Sequence, residues 1–314
     1  MQVQTLNYPF RNDLQLPAKQ VLAAGFFDGL HLGHQNLIKT AVRLARIQKI
    51  PVAVLTFDRH PALVYQPESV DSNYQYLTPL NRKLELLEQL GVDTVYIAEF
   101  NPIFAHLEPK DFVEQFLMKL HLKALVAGFD WTFGPKTLAN MDLLRQLVHR
   151  RFEIYEIPSL NFGQRKISST HIRASLKTGQ MAEANLFLGY NYQNEGLVVH
   201  GYQMGRQLGF PTANLSMSNE QFIPRIGVYV SRVKVGQTWW PAMTSIGRNI
   251  TFKRGDNPLT IEANLLDFDQ DLYGKTLQIE WLDYLRDEVK FADASALIAQ
   301  LHQDQENTEL YFRK

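Results

Sequence analysis

Between Val21 and Ile157, short runs of unbroken apolar residues alternate with longer amphipathic stretches. Residues 21–24, 52–57, 94–100, 124–129 and 152–157 read as strands. Helices are predicted over 35–48, from Leu80 to a stop at Gly91, over 109–120 with Pro109 at the start, and over 139–149. The stripe of the second is read from Leu80, Leu84, Leu87 and Leu90. A strand with no polar alternation is buried on both faces, and strands that alternate with helices find that burial in a parallel sheet. The first half is therefore predicted to be α/β, a parallel sheet with helices on both faces. Residues 66–78 are polar and show no period.

From Ser168 the texture changes. Ser168-Ser169-Thr170 offers a helix N-cap, with short helices over 172–176 and 181–188 separated by Gly179. A polar linker covers 189–194. Beyond it come short β-rich runs at 197–200, 228–235, 239–246, 260–266 and 277–282, divided by Gly, Asn, Asp and Pro clusters. That spacing predicts an all-β barrel or sandwich. A helix is predicted only at 294–302, and the polar tail 304–314 is expected to fray. At 314 residues two domains are the natural expectation, placed at 1–188 and 189–314.

Composition narrows the function. The chain has 32 basic and 32 acidic residues, so no chain-wide grip on nucleic acid or anionic lipid is expected. There are no cysteines, which excludes disulfides, thiolate metal sites and a cysteine nucleophile. The amino terminus has no basic start followed by an apolar segment, and no apolar run approaches the roughly 20 residues that span a bilayer. The expectation is a cytoplasmic protein that engages neither membrane nor nucleic acid. A homo-oligomer is left open.

Five stretches are candidates for chemistry. Gly25-Phe26-Phe27-Asp28-Gly29-Leu30-His31-Leu32-Gly33-His34 lies between the first strand and a helix amino terminus, where backbone N–H groups favour an anion. Two imidazoles three residues apart can donate to triphosphate oxygens, and Gly33 between them admits a close approach. A metal pair is the rival reading, but no third ligand stands at metal spacing; two ordinary surface histidines are the plain one. The stretch 128–137 has the look of a P-loop but fails its spacing, leaving Asp130 as a polar candidate or a solvated loop acid. Ser169, Thr170 and Arg173 combine hydroxyls with a guanidinium suited to phosphate, or simply cap a helix. Gly201, Gly205 and Gly209 recur every fourth residue around Arg206 and lead into Thr212 and Asn214. Such a loop can wrap phosphates, or be a plain hairpin. Two oxygen ligands two residues apart can face a hard cation such as Mg²⁺. Glu262 is the single acid in an apolar run, facing either outward or toward a hydroxyl to be activated.

Together GFFDGLHLGH, TFDRHP, GFDWTFG, ISSTHIR, VVHGYQMGRQLGFPTANL, GVYV, IEANLLDFDQDLYG and LRDEVKF stand in one order along nearly the whole chain. In these motifs the chain resembles the bacterial bifunctional riboflavin kinase/FMN adenylyltransferase (FAD synthetase) family. The resemblance implies a Rossmann-like nucleotidyltransferase domain followed by a six-stranded β-barrel kinase domain. It implies ATP, riboflavin and FMN as substrates and Mg²⁺ as the metal. In the barrel it makes Glu262 the general base, Thr212 and Asn214 the metal and phosphate ligands, and Gly201, Gly205, Arg206 and Gly209 the phosphate loop. In the first domain it gives His31, His34, Gly25, Asp28, Gly33, Ser169, Thr170 and Arg173 to the second ATP. Asp130, Phe133 and Arg286 are implied on the flavin side. The chain departs from the family pattern at Phe26, where Asn is usual, at Asp58-Arg59, where Glu-Pro is usual, and at 247–252, where a proline is missing. The alternatives are an active kinase with a weak or altered adenylyltransferase half, and a flavin-binding regulator without turnover.

Overall fold

The computed structural model describes residues 1–10, 15–65, 74–135, 137–201, 204–248 and 259–313. The polar segment 66–73 and the proline-lacking segment from 249 lie outside them. The chain divides into two compact units, Met1–Ser169 and Thr170–Lys314, and each is described by itself.

The first unit is built on a six-stranded parallel sheet: β1 (Gln2–Leu6), β2 (Gln20–Ala24), β3 (Val52–Phe57), β4 (Thr94–Ala98), β5 (Leu122–Gly128) and β6 (Glu153–Ile157). Their spatial order is β1-β4-β3-β2-β5-β6. The central strands are apolar because both faces are covered; every residue of β2 is buried. After β2 the chain returns on one side as β3, while β5 occupies the other side, pairing Ala24 with Ala127. The order of strands reverses there, and such a switch point opens a crevice at the carboxyl ends of the strands.

Helix α1 (Leu32–Gln48) covers the sheet with Leu37, Ile38, Ala41 and Ala45. Helix α2 (Leu80–Gln89) differs from its predicted stripe: it buries Lys83, Leu86 and Leu87, while Leu80 is exposed. The helix predicted over 109–120 is interrupted, with one α-turn, a π-wound stretch Phe112–Phe116 and a tight 3₁₀ turn Leu117–Leu120. Phe112 and Phe116 stack at 5.4 Å in the core, and the changed winding accommodates that pairing. Strand β1 has no counterpart in the sequence reading, because only Leu6 of its five residues is buried. Helix α3 (Met141–Val148) packs Met141, Leu144 and Val148 into the core that includes Leu22, Ala24, Ala53 and Leu55.

Helix α4 (Ser169–Thr178) starts on the last residue of the first unit and runs into the second, which continues with α5 (Met181–Leu188). A closed antiparallel barrel follows, formed by β7 (Tyr192–Val199), β8 (Ala213–Met217), β9 (Gly227–Val235), β10 (Thr238–Gly247), β11 (Thr260–Leu265) and β12 (Thr276–Arg286). Their order is β8-β11-β10-β9-β12-β7, and β7 pairs back onto β8. Closure leaves no strand edge to protect. Inside, Trp281 donates to Asn194 at 2.8 Å, so the buried indole N–H is satisfied.

The expected frayed tail is instead the continuation of α6 (Ala294–Arg313). Its buried residues are polar: Asp304 and Thr308, with Asp304 gripped by the Nε–Nη2 edge of the Arg286 guanidinium at 2.7–3.1 Å. A helix docked by an ion pair carries no apolar stripe over its second half, which is why the sequence pattern stopped at 302.

Candidate active sites

The first candidate site is the turn between β2 and α1. Phe27 (φ 57°), Gly29 (φ 78°) and Leu30 (φ 36°) all take positive φ, and Phe27 and Leu30 are buried. A non-glycine residue held there costs about 1–3 kcal/mol, so the surroundings must enforce it. They do so from four directions. Lys83 Nζ and Thr56 Oγ1 both donate to the Phe26 carbonyl, at 2.8 and 3.0 Å. The Gly29 N–H donates to Thr78 Oγ1 at 2.8 Å, and the Thr78 N–H donates to the Asp28 carboxylate at 3.1 Å. Ser169 Oγ donates to the Asp28 carbonyl at 2.8 Å. Asp28 thus braces the turn. Gly25 and Gly33 serve close approach: a Cβ would sit 2.8 Å from the Phe27 ring at Gly25 and 3.2 Å from the His31 ring at Gly33.

The turn brings His31 and His34 together as a stacked pair, ring centroids 3.6 Å apart. His31 caps α1: its Nδ1 accepts the His34 N–H at 3.3 Å, which puts the proton of the neutral ring on Nε2. Burial, with help from the Lys166 charge, lowers its pKa to about 4. His34 is held well below the ordinary range by burial first, then by His31 and Lys83. Both rings are therefore neutral at pH 7 and act as N–H donors, not cations. His34 Nδ1 is buried with no protein partner, an orphan that an incoming oxygen would satisfy.

Asp130 and Phe133 lie beyond β5. The Asp130 carboxylate pairs with Lys166 at 2.9 Å, both half exposed, and the Lys166 ammonium stands 4.7 Å from the Phe129 ring. Phe133 is only 8 % exposed and stacks on Phe112 and Trp131, so its ring belongs to the core. Thr170 and Arg173 fall in the second unit, where the Arg173 guanidinium lies 5.1 Å from the Phe222 ring.

The second candidate site is on the barrel. Asn214 of β8 stands opposite Glu262 of β11, and the Thr212 hydroxyl donates to Glu262 Oε2 at 3.3 Å. Glu262 therefore stands beside the Thr212 hydroxyl and opposite Asn214. Gly201 backs directly onto Asn214: a Cβ there would overlap its amide at 2.3 Å. At Gly205 a Cβ would meet the Phe210 carbonyl at 2.3 Å. Gly209 takes φ 87°, which glycine alone adopts freely. A cleft of about 630 Å³ on the barrel is lined by Arg206, Thr212 and Tyr273, together with Ala213 and Ala263, the chain neighbours of Asn214 and Glu262. Among the described residues no group of three His, Cys, Asp or Glu could hold a metal by itself. A cation here would be shared between neutral oxygen donors and phosphates. Arg286 lies on β12, its fork directed at Asp304.

Residues 13–171 match the family model described as FAD synthetase, and residues 188–312 the one described as riboflavin kinase. The chain is 41% identical over 309 residues to the bifunctional riboflavin kinase/FMN adenylyltransferase of Listeria monocytogenes, covering 98% of each. It is 37% identical to the Bacillus subtilis protein of that name, over 94% of this chain and 93% of the other. This chain belongs to the bifunctional riboflavin kinase/FMN adenylyltransferase family. A crystal structure of a protein named as a macrolide-efflux protein from Streptococcus pneumoniae superposes with a TM-score of 0.88 at 34% identity, over 97% of this chain and 98% of that one. Among the described residues of this chain no helix is long and apolar enough to cross a membrane.

Within the family frame, two cations escaped the sequence reading. Lys166 lies in the second strand of an exposed two-strand ribbon, opposite Asn161, and gives no periodic signal. Lys83 did leave one: it stands three and four residues before Leu86 and Leu87, on the apolar stripe itself. Phe26, the departure beside the turn, contributes its carbonyl to Lys83 and Thr56, while its ring stands 4.2 Å from the Lys83 ammonium and packs edge-on against His60. Asp58 is engaged by the Phe100 N–H at 2.8 Å and by Arg59.

Proposed function

We propose how the family's two reactions are distributed over this chain. Phosphoryl transfer belongs to the barrel and adenylyl transfer to the parallel-sheet unit, with the functional boundary near 188/189, where the riboflavin kinase match begins. The observation that carries the reading is the neutral histidine pair at the β2–β5 crevice, with a buried nitrogen left partnerless.

In the barrel, Glu262 takes the proton of the riboflavin 5′-hydroxyl as its oxygen attacks the γ-phosphorus of ATP, and ADP leaves. Thr212 and Asn214 are oxygen donors placed beside Glu262, and a magnesium ion held by them and the phosphates would neutralise phosphate charge. Gly201, Gly205 and Gly209 let the backbone approach the phosphates, and Arg206 lines a cleft together with Thr212. Arg286, implied on the flavin side, is supported there by the motif alone.

In the first unit an FMN phosphate oxygen attacks the α-phosphorus of a second ATP and pyrophosphate departs. His31 Nε2–H and the His34 ring donate to the triphosphate, and donors already in place need no reorganisation as charge develops. Neither ring needs to transfer a proton, because pyrophosphate leaves as an anion. Ser169 joins the site through its bond to the turn; Thr170 and Arg173 are carried with it on the strength of the motif. Asp130 is the polar group offered to the flavin side. Magnesium as the ion and the cytoplasm as the place of action belong to this proposal.

The test supplies FMN, ATP and Mg²⁺ and follows FAD and pyrophosphate. Formation of both in equal amounts is expected; no FAD over hours would leave a kinase with an inactive first unit. With riboflavin in place of FMN, Glu262→Gln is expected to lower FMN formation at least 100-fold; an unchanged rate would remove Glu262 from the role of base.

A further inference from the structure

Lys83 has no part in the chemistry above, yet it is among the most buried charged groups in the chain, 3 % exposed. Its ammonium donates to the Phe26 carbonyl at 2.8 Å and reaches Thr56 Oγ1 at 3.4 Å, and no carboxylate among the described residues lies within ion-pair distance. The Phe26 ring screens it from solvent at 4.2 Å. A lysine buried without a counter-charge is costly to keep, and lysine side chains ordinarily reach water. What it touches explains its retention: Phe26 immediately precedes the positive-φ residue Phe27, at the start of the turn that presents His31 and His34. Its charge is felt at His34, which it helps to keep neutral.

We propose that Lys83 is a positioning residue for adenylyl transfer: a buried ammonium, unpaired in the absence of nucleotide, that clamps the phosphate-binding turn through the Phe26 carbonyl and supplies the fixed positive charge that the neutral histidine pair lacks. The inference rests on reading the first unit as the adenylyltransferase. A low-dielectric site strengthens such a charge toward a bound polyanion. The titratable groups facing Lys83 are Asp28 from the turn, which favours the ammonium, and His34 from α1; β3 offers only the Thr56 hydroxyl. Burial lowers the Lys83 pKa to about 8, so the cation is lost within the range where an enzyme can be assayed.

The experiment measures the ATP KM for FAD formation from supplied FMN between pH 6.5 and about 9, in wild type, Lys83→Arg and Lys83→Met. FMN formation from riboflavin in the same preparations is the control, since the barrel is a separate unit. Wild type is expected to hold a flat KM to about pH 8 and then lose affinity, approaching tenfold per pH unit. Lys83→Arg keeps its charge, so its KM stays flat to pH 9. Lys83→Met starts at least tenfold weaker at pH 7 and shows no limb, with FMN formation unchanged. Wild type that makes FAD with no alkaline limb overturns the proposal without any variant. A Lys83→Met enzyme that is slow but keeps the limb assigns Lys83 a structural role only, and also overturns it. Wild type that makes no FAD at all removes the adenylyltransferase reading itself, and the proposal with it.

Discussion

Gly201 has no room for a side chain. A methyl group there would lie 2.3 Å from the Asn214 amide nitrogen, so Gly201→Ala must displace the Asn214 side chain, which stands opposite Glu262 in the strand register. FMN formation is expected to fall at least tenfold, a loss of about 1.4 kcal/mol in transition-state stabilisation, with FAD formation from FMN intact; steady-state rates on the two substrates check this. At Lys83 the linkage runs against stability. Its pKa falls from 10.5 to about 8 on folding, so burial of the charge costs about 3 kcal/mol at neutral pH and the cost fades as pH rises from 8 toward 10.5. Lys83→Met should therefore melt at a higher temperature than wild type at pH 7, with the gap closing toward pH 10, as seen by calorimetry. His31 has the same sign in a lower window: its pKa is depressed from 6.5 to about 4, so the penalty is absent above pH 6.5, grows as pH falls below 6.5 and is complete below 4. The residues whose chemistry is unusual for their place, such as His31, His34 and Glu262, were legible in the sequence. Lys83 was not, because a polar residue in an apolar stripe reads as an interruption of the stripe. Its burial depends on the Phe26 carbonyl, 57 positions away in the chain.

At the scale of elements, the parallel strands were legible because burial on both faces leaves an unbroken apolar run. The exceptions have local causes. β1 sits at the sheet edge and buries one residue, β8 is short and polar at Asn214 and Ser216, and the second half of α6 is docked by charge. The last of these makes a prediction. Asp304 is 1 % exposed and receives the Nε–Nη2 edge of Arg286 along with the Gln300 amide at 2.9 Å. Asp304→Ala leaves the guanidinium without its partner, and removing one member of a buried pair costs about 3–5 kcal/mol. The barrel unit of that variant should unfold at lower denaturant, and hydrogen exchange along α6 should rise first. Protection equal to wild type would show that the ion pair does not hold the helix.

For the whole molecule, the family's two reactions are assigned to two units of unlike construction. A parallel sheet presents a helix amino terminus and neutral donors at a switch point, which suits a triphosphate that must release pyrophosphate. A closed barrel instead gathers a carboxylate, a hydroxyl and an amide on neighbouring strands, which suits removal of a proton from an alcohol. The order of the motifs along the chain made this division legible; the distances that make each group useful required the folded strands. The most direct test mixes two single variants, Glu262→Gln and His31→Ala, with riboflavin, ATP and Mg²⁺. Alone, the first should make neither flavin nucleotide and the second should accumulate FMN; together they should form FAD, with FMN passing between molecules. FAD formation by either variant alone at the wild-type rate, or none from the mixture, would contradict the assignment of one reaction to each unit.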